Sequence, residues 1–367
     1  MKEDFLSIKL KERADAFALR VLRLPGGALD FYSNDYLGIA KNKLIENELE
    51  GRVYSHGSTG SRLLSGNYSL IEETEALIGD FHRSPAALIF NSGYDANFGL
   101  LACVAQRGDC ILYDKLSHAS IRDGIRQSFA SSFSFAHHDL ADLERKLKQF
   151  SASSNTCFVV TESVFSMDGD IAPLSDIVSL CEKYHAHLIL DEAHATGVIG
   201  GNGEGLAQSL NLHDRCFARI HTFGKALACH GAVILGSELL RKYLINFCRP
   251  LIYSTAIPPS AVAAIAAAYK IFPGLQEERR NLEKLVSLFS ENMRFGKSST
   301  PIQYIVIPGN EQVKKIALEL LRNNLDIRPI LYPTVPLGGE RLRITLHSFN
   351  TMEDAQKIIS LIADMNK

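Results

Sequence analysis

Six short apolar runs constrain this chain more than any other feature. They occupy residues 87–90 (ALIF), 110–113 (CILY), 157–162 (CFVVTE), 187–192 (HLILDE), 220–222 (IHT) and 232–235 (AVIL). Longer amphipathic stretches separate most of them. Apolar strands of this length, alternating with helices, predict a sheet covered by helices on both faces. Ligands of such sheets collect beyond the carboxyl ends of the strands. The polar residues that follow the runs, among them Asp114, Asp191 and the segment after Thr222, are therefore the places to look for chemistry.

The chain has 367 residues, a length that suggests two domains. Hydrophobic residues make up 46% and charged residues 22%, as in ordinary globular proteins. A net charge of -2 predicts no general attraction to nucleic acid or to an anionic membrane. No apolar run is long enough to span a bilayer. The start, MKEDFLSIKLKERADAF, reads as an amphipathic helix and lacks the apolar core of a signal peptide. Seven scattered cysteines form no CxxC pair, which points to a cytoplasmic protein without disulfides or structural zinc.

Beyond Pro259 the texture changes. Residues 260–271 are alanine-rich and helical, and 276–295 are charged and amphipathic. Residues 302–307 read as a strand. Val313, Ile316, Ala317, Leu320 and Leu321 form a stripe at helical spacing. Residues 341–347 alternate, with Leu342, Ile344 and Leu346 on one face and Arg341, Arg343, Thr345 and His347 on the other. A last helix begins near Met352. The expected division is an N-terminal arm (1–40), a large ligand-binding domain (41–262) and a small C-terminal α/β domain (263–367).

Lys225 lies in IHTFGKALACHGA, with a hydroxyl at Thr222 before it and small residues after it. A desolvated lysine can attack an aldehyde, and pyridoxal phosphate (PLP) is the candidate. A surface lysine in a glycine-containing turn is the commoner meaning of such a segment taken alone. Asp191 ends an apolar strand about one strand-helix-strand unit earlier, so both side chains can reach one edge of the sheet. A carboxylate there would keep a pyridine nitrogen protonated and improve the ring as an electron sink; capping the next turn is the ordinary alternative. Ser92-Gly93-Tyr94 opens a helix after a strand, which suits a phosphate. His118 could lie flat on a ring, and His194 could bond a ring hydroxyl. Arg343 could grip a carboxylate. The letters DEAH do not mark a helicase, because no G-x-x-x-x-G-K-[ST] loop accompanies them. His185, His187 and Asp191 would share one face of an extended strand, but the group lacks metal-ligand spacing and no metal is expected.

These segments together resemble the α-oxoamine synthases, PLP enzymes of the aspartate-aminotransferase fold. SNDYLG (33–38), the glycine-rich 57–66 loop, NSGYDAN (91–97), SHAS (117–120), TESVFSMDGDIAPL (161–174), LDEAHATGVIG (190–200), TFGKA (222–226), IYSTAIPP (252–259) and RLRIT (341–345) match in order over nearly the whole chain. The resemblance implies fold type I: a central, mostly parallel seven-stranded sheet plus a small C-terminal α/β domain. It makes Lys225 the Schiff-base lysine and Asp191 the pyridinium partner. His118 stacks on the ring, His194 contacts its hydroxyl and Ser166 lies near it. Ser92, Gly93, Tyr94 and Thr222 hold the phosphate, and Thr255 reaches the phosphate of a partner subunit's cofactor, implying a homodimer. Arg343 and Asn34 meet the substrate, and Arg20 or Arg23 meets a distal carboxylate. GSTGSRLLSGN, TESVFSMDGD and YPTVP favour the member that condenses L-alanine with a pimeloyl thioester, of coenzyme A or an acyl-carrier protein, in biotin biosynthesis. Glycine with acetyl-CoA or succinyl-CoA, serine with a long acyl-CoA, a thioester-independent aldolase, racemase or aminotransferase, and a silent subunit are the alternatives. The chain departs from the family pattern at Ala228, where glycine is frequent, and at His230.

Overall fold

The computed structural model describes residues 3–291, 296 and 298–365. The chain divides into two compact units. The larger comprises Leu37–Ser166 and Ile171–Arg279, so it includes the alanine-rich helix Pro259–Ile271. The smaller comprises Met1–Tyr36, Met167–Asp170 and Arg280–Lys367.

Seven strands form the sheet of the larger unit: β1 (Ala86–Phe90), β2 (Cys110–Asp114), β3 (Ser131–Phe135), β4 (Cys157–Glu162), β5 (His187–Asp191), β6 (Ala218–Thr222) and β7 (Ala232–Gly236). Their order is β1-β7-β6-β5-β4-β2-β3. Only β7 runs against the rest, pairing antiparallel with both β1 and β6. The mostly parallel seven-stranded sheet implied by the resemblance is present. The apolar runs predicted all its strands except β3, whose sequence SSFSF alternates and whose first four residues are exposed. It is one of the two edge strands, and unlike β1 at the opposite edge, which is buried throughout, it leaves its first four residues to solvent.

Helices α1 (Ser69–Phe81), α2 (Gly93–Val104), α3 (Ala119–Gln127), α4 (Leu140–Phe150), α5 (Leu174–Lys183), α6 (Glu238–Phe247) and α7 (Pro259–Ile271) cover it. Strand side chains alternate between faces. Leu88, Phe90, Ile111, Phe158, Val160, Ile189, Ile220 and Ile234 pack with Leu100, Leu101, Ile121, Ile125, Leu240 and Leu244 of α2, α3 and α6. The alternate set, including Ile89, Leu112, Val159, Leu190 and Val233, is also buried, on the side where α1, α4 and α5 meet strands. Burial on both faces is the physical reason that these strands read as unbroken apolar runs.

The smaller unit holds a three-stranded antiparallel sheet of β8 (Ile302–Val306), β9 (Arg328–Ile330) and β10 (Arg341–Thr345), in the order β9-β10-β8. The alternation in 341–345 does not separate a wet face from a dry one: all five residues are buried. Arg341 sits over the Tyr304 ring at 5.0 Å and pairs with Asp168. The part of 276–295 beyond Glu291 lies outside the described residues. Helix Asp4–Asp15 forms as expected, with none of its residues buried.

Candidate active site

Five parallel strands deliver their following residues to one edge of the large sheet. After β1, Ser92 caps α2: its Oγ accepts the Asp95 N–H at 3.0 Å and donates to Asp95 Oδ2 at 2.9 Å. The first amides of α2, at Gly93 and Tyr94, stand at the positive end of the helix dipole. A Cβ added at Gly93 would lie 2.8 Å from Thr222 Oγ1. Backbone and hydroxyl therefore approach as closely as only glycine allows, an arrangement that fits a phosphate cradle. Tyr94 itself points its hydroxyl at Asp123.

After β2, Asp114 organises the turn. Its carboxylate accepts from Leu116 N–H (2.8 Å), His138 N–H (3.2 Å) and His137 Nδ1 (3.0 Å). Asp114, His137 and His138 also place donor atoms within 4.8 Å of one another, a convergence not read from the sequence. The turn leads to His118, which caps α3 with its own ring: Nδ1 lies 3.3 Å from Ser120 N and 2.8 Å from Ser120 Oγ.

After β5, Asp191 is buried, and its two oxygens are fixed separately. Oδ1 accepts the Ala193 N–H at 2.8 Å, and Oδ2 accepts from Asn97 Nδ2 at 2.7 Å. Asn97 Nδ2 also reaches Ser120 Oγ at 3.1 Å. A chain of hydrogen bonds thus runs from Asp191 through Asn97 and Ser120 to the His118 ring. Of the three residues expected on one strand face, His185 falls outside β5 in a left-handed conformation (φ 53°), and His187 is exposed while Asp191 is buried. His187 and Asp191 do share a strand face, four residues apart, but His185 does not join them, because the strand begins only at His187.

After β6, the loop folds back on itself. Cys229 N–H donates to Phe223 C=O (2.8 Å), Phe223 N–H to Gly231 C=O (2.9 Å) and Ala228 N–H to Lys225 C=O (2.9 Å). This closed loop presents Lys225, whose Nζ lies 2.8 Å from Nε2 of the buried His194.

Behind these residues stands Glu162, the last residue of β4, beside Asp191 in register. It is buried and accepts the His118 N–H at 2.7 Å. Burial first, and then the charge of Asp191, push its carboxyl up to about 8. Solvent touches the His118 ring, yet protein surrounds it closely enough that desolvation lowers its pKa; Asp191 opposes the shift and Lys225 adds to it. Both Lys225 and Asp191 act electrostatically on His118 and on Glu162. The four groups therefore occupy one site. Glu162 and Asn97 were not singled out from the sequence. Glu162 carried the same signal as Asp191, an acid ending a buried strand.

Ser166 is half-buried, four residues beyond β4. Thr255 is exposed, and its carbonyl accepts from Asn91 Nδ2 at 2.9 Å. In the smaller unit, Arg343 on β10 donates to Asn34 Oδ1 (3.2 Å) and Thr345 Oγ1 (2.8 Å). Tyr36 Oη adds a bond to Asn34 Oδ1 at 3.2 Å. Arg20 donates to Thr334 Oγ1 at 2.9 Å and, with Arg23, lines a groove of about 560 Å³ walled by Leu19, Leu318 and Leu331.

Residues 27–360 match the family "Aminotransferase class I and II". An 8-amino-7-oxononanoate synthase of Lysinibacillus sphaericus is 38% identical, covering 92% of this chain and 88% of that protein. One from Emericella nidulans is 37% identical over 98% and 95% of the two chains. Among solved structures, serine palmitoyltransferase of Sphingomonas wittichii superposes with a TM-score of 0.87 at 26% identity, over 98% of this chain and 96% of that one. The 8-amino-7-oxononanoate synthase of Francisella tularensis gives 0.78 at 28% identity, over 93% and 98%. The chain belongs to the class I and II aminotransferase family and, within it, groups with the 8-amino-7-oxononanoate synthases.

Proposed function

We propose that this protein is a PLP-dependent acyltransferase of biotin biosynthesis. It condenses L-alanine with a pimeloyl thioester and yields 8-amino-7-oxononanoate, CO2 and the free thiol. The observation that carries this reading is the single site in which Lys225 Nζ stands 2.8 Å from His194 Nε2 while Asp191, three residues before His194, is linked through Asn97 and Ser120 to the His118 ring. PLP bound there supplies an electron sink for the bonds broken at the amino acid's α-carbon.

The chain's own residues do the rest. Lys225 Nζ is the amine that would hold the cofactor's aldehyde carbon and then take and return the α-proton. His194 Nε2, 2.8 Å away, orients that amine and is assigned the ring hydroxyl. Asp191, immobilised by Asn97 and Ala193, keeps the ring nitrogen protonated. His118, anchored at its N–H by Glu162 and at Nδ1 by Ser120, supplies a flat face for stacking. Gly93, Tyr94 and Ser92 with Thr222 hold the phosphate, and Ser166 lies beside the ring. Arg343, aimed by Asn34 and Thr345, takes the amino acid's carboxylate, and Arg20 the far carboxylate of the acyl chain. The enzyme works as a homodimer in which Thr255 serves the partner's cofactor. All seven cysteines are free, which supports a cytoplasmic setting.

Lys225→Ala should lose both the cofactor's lysine-bound absorbance band and turnover. A fully active variant would end the proposal. A matrix of amino acids against acyl thioesters, with CO2 detected, identifies the substrates; the serine palmitoyltransferase likeness makes serine with a long acyl thioester the pair to beat.

A further inference from the structure

A basic groove of about 270 Å³ lies in the larger unit, lined by Tyr113, Lys115, Arg122, Arg126, Ser132 and Ser134. Its construction follows from local geometry. Arg122 and Arg126 are four apart on α3 and so share one helical face. Ser132 and Ser134 are two apart on the edge strand β3 and share one strand face. Tyr113 of β2 is the register partner of Ser134. Lys115 N–H donates to Phe135 C=O at 3.0 Å, which fixes the start of the turn after β2 against the edge strand.

Every charged side chain lining the groove is positive. The carboxylate of Asp123 pairs with Arg126 at 3.0 Å and also receives the Tyr94 hydroxyl. Arg122 uses one of its N–H groups on the Lys115 carbonyl, leaving a guanidinium with further donors. This cluster sits on a chain whose net charge is -2. An acidic partner is thus drawn to this spot rather than to the molecule as a whole. Exposed Leu116 and Phe129, at 38% and 70%, adjoin the turn and the end of α3 and offer apolar contact beside the charges.

The groove borders the candidate active site. His118 caps the helix that carries Arg122 and Arg126, which follow it by one and two turns, about 6 and 12 Å along the axis. We propose that this groove docks an acidic acyl-carrier protein, whose prosthetic arm then presents its thioester beside His118. The proposal rests on the thioester reading above and names the donor. The volume falls just short of the roughly 300–1,000 Å³ of pockets that enclose small ligands, so a nucleotide would lie largely in solvent. A charged helix laid across Arg122 and Arg126 needs no enclosure.

The test uses the PLP-loaded full chain and an acyl-carrier protein bearing a pimeloyl thioester. Two variants are compared with the parent: Arg126→Glu, at a side chain 74% exposed that the fold tolerates, and the triple Lys115→Glu/Arg122→Glu/Arg126→Glu. Binding is read by fluorescence anisotropy of the labelled carrier, and turnover with the carrier thioester and with pimeloyl-CoA. Docking in the groove predicts a Kd and a KM for the carrier raised at least tenfold in the triple variant and severalfold in Arg126→Glu. It also predicts unchanged kcat, unchanged KM for pimeloyl-CoA, and parental binding that weakens with salt. Carrier binding that is absent in the parent, or untouched by either variant, overturns the proposal, as does an equal loss with both donors or a loss with pimeloyl-CoA alone. If the carrier binds through the groove while no alanine is consumed with either donor, docking stands and the assigned reaction fails.

Discussion

Ala228 carries a positive φ of 53° in the loop that closes around Lys225. A residue with a Cβ is disfavoured there by about 1–2 kcal/mol, whereas glycine adopts the conformation freely. Ala228→Gly should therefore raise stability by about 0.5–1 kcal/mol in urea unfolding, after allowance for glycine's looser unfolded chain. Asn97 works in the opposite sense, spending its amide on a buried carboxylate. Asn97→Ala leaves Asp191 Oδ2 without its 2.7 Å donor. We expect kcat/KM to fall about 10–100-fold as the carboxylate loses its aim, with weaker PLP retention in the absorbance spectrum. Lys225, Asp191 and His194 were legible because a reactive residue type stood at a strand end. Asn97 was not, since an asparagine inside a helix has no chemistry until its neighbour across the sheet edge is known.

In helix α1, packed through the fully buried Ile71 and Ile78, one side chain ties three further segments together. Glu75, buried within it, accepts from Arg62 at 2.7 Å, Arg241 at 2.9 Å and the Ile89 N–H at 2.9 Å. It thereby joins the 57–66 loop, α6 and β1. Glu75→Ala leaves the Arg62 guanidinium, 9% exposed, without its buried partner. The expected cost is about 3–5 kcal/mol, measured as a lower urea midpoint. The arginine of the 57–66 loop is thus committed to Glu75. Strand β3 was missed in the sequence. Its exposed Ser-Phe alternation lacks the apolar run that burial on two faces imposes, and only the register with Cys110–Asp114 makes it a strand.

His82 and His221 lie with their ring centroids 4.1 Å apart and their planes tilted by 36°, both fully buried. Burial lowers both pKa values well below the ordinary 6.5, and neighbouring Arg219 adds to each shift. Below pH 6.5 the unfolded chain takes up two protons that the folded chain refuses, so stability is lost as the pH is lowered. The slope is about 1.4 kcal/mol per pH unit for each ring, until the folded values are reached. Urea midpoints at pH 7 and pH 5.5 should show this loss. Replacing His82 by Gln should reduce the slope, and an unchanged slope would contradict the assignment.

By itself the sequence determined the alternation of strand and helix, the sheet edge where chemistry collects, and the lysine and aspartate that lie there. Those features follow from periodicity and from residue type at a strand end, which are local properties. Tertiary structure alone decided that Glu162 backs His118, that Asn97 and Ser120 wire Asp191 to the His118 ring, and that Lys115, Arg122 and Arg126 converge on one groove. Each of these joins residues on different elements, and such distances are set by the packing of helices and strands in space.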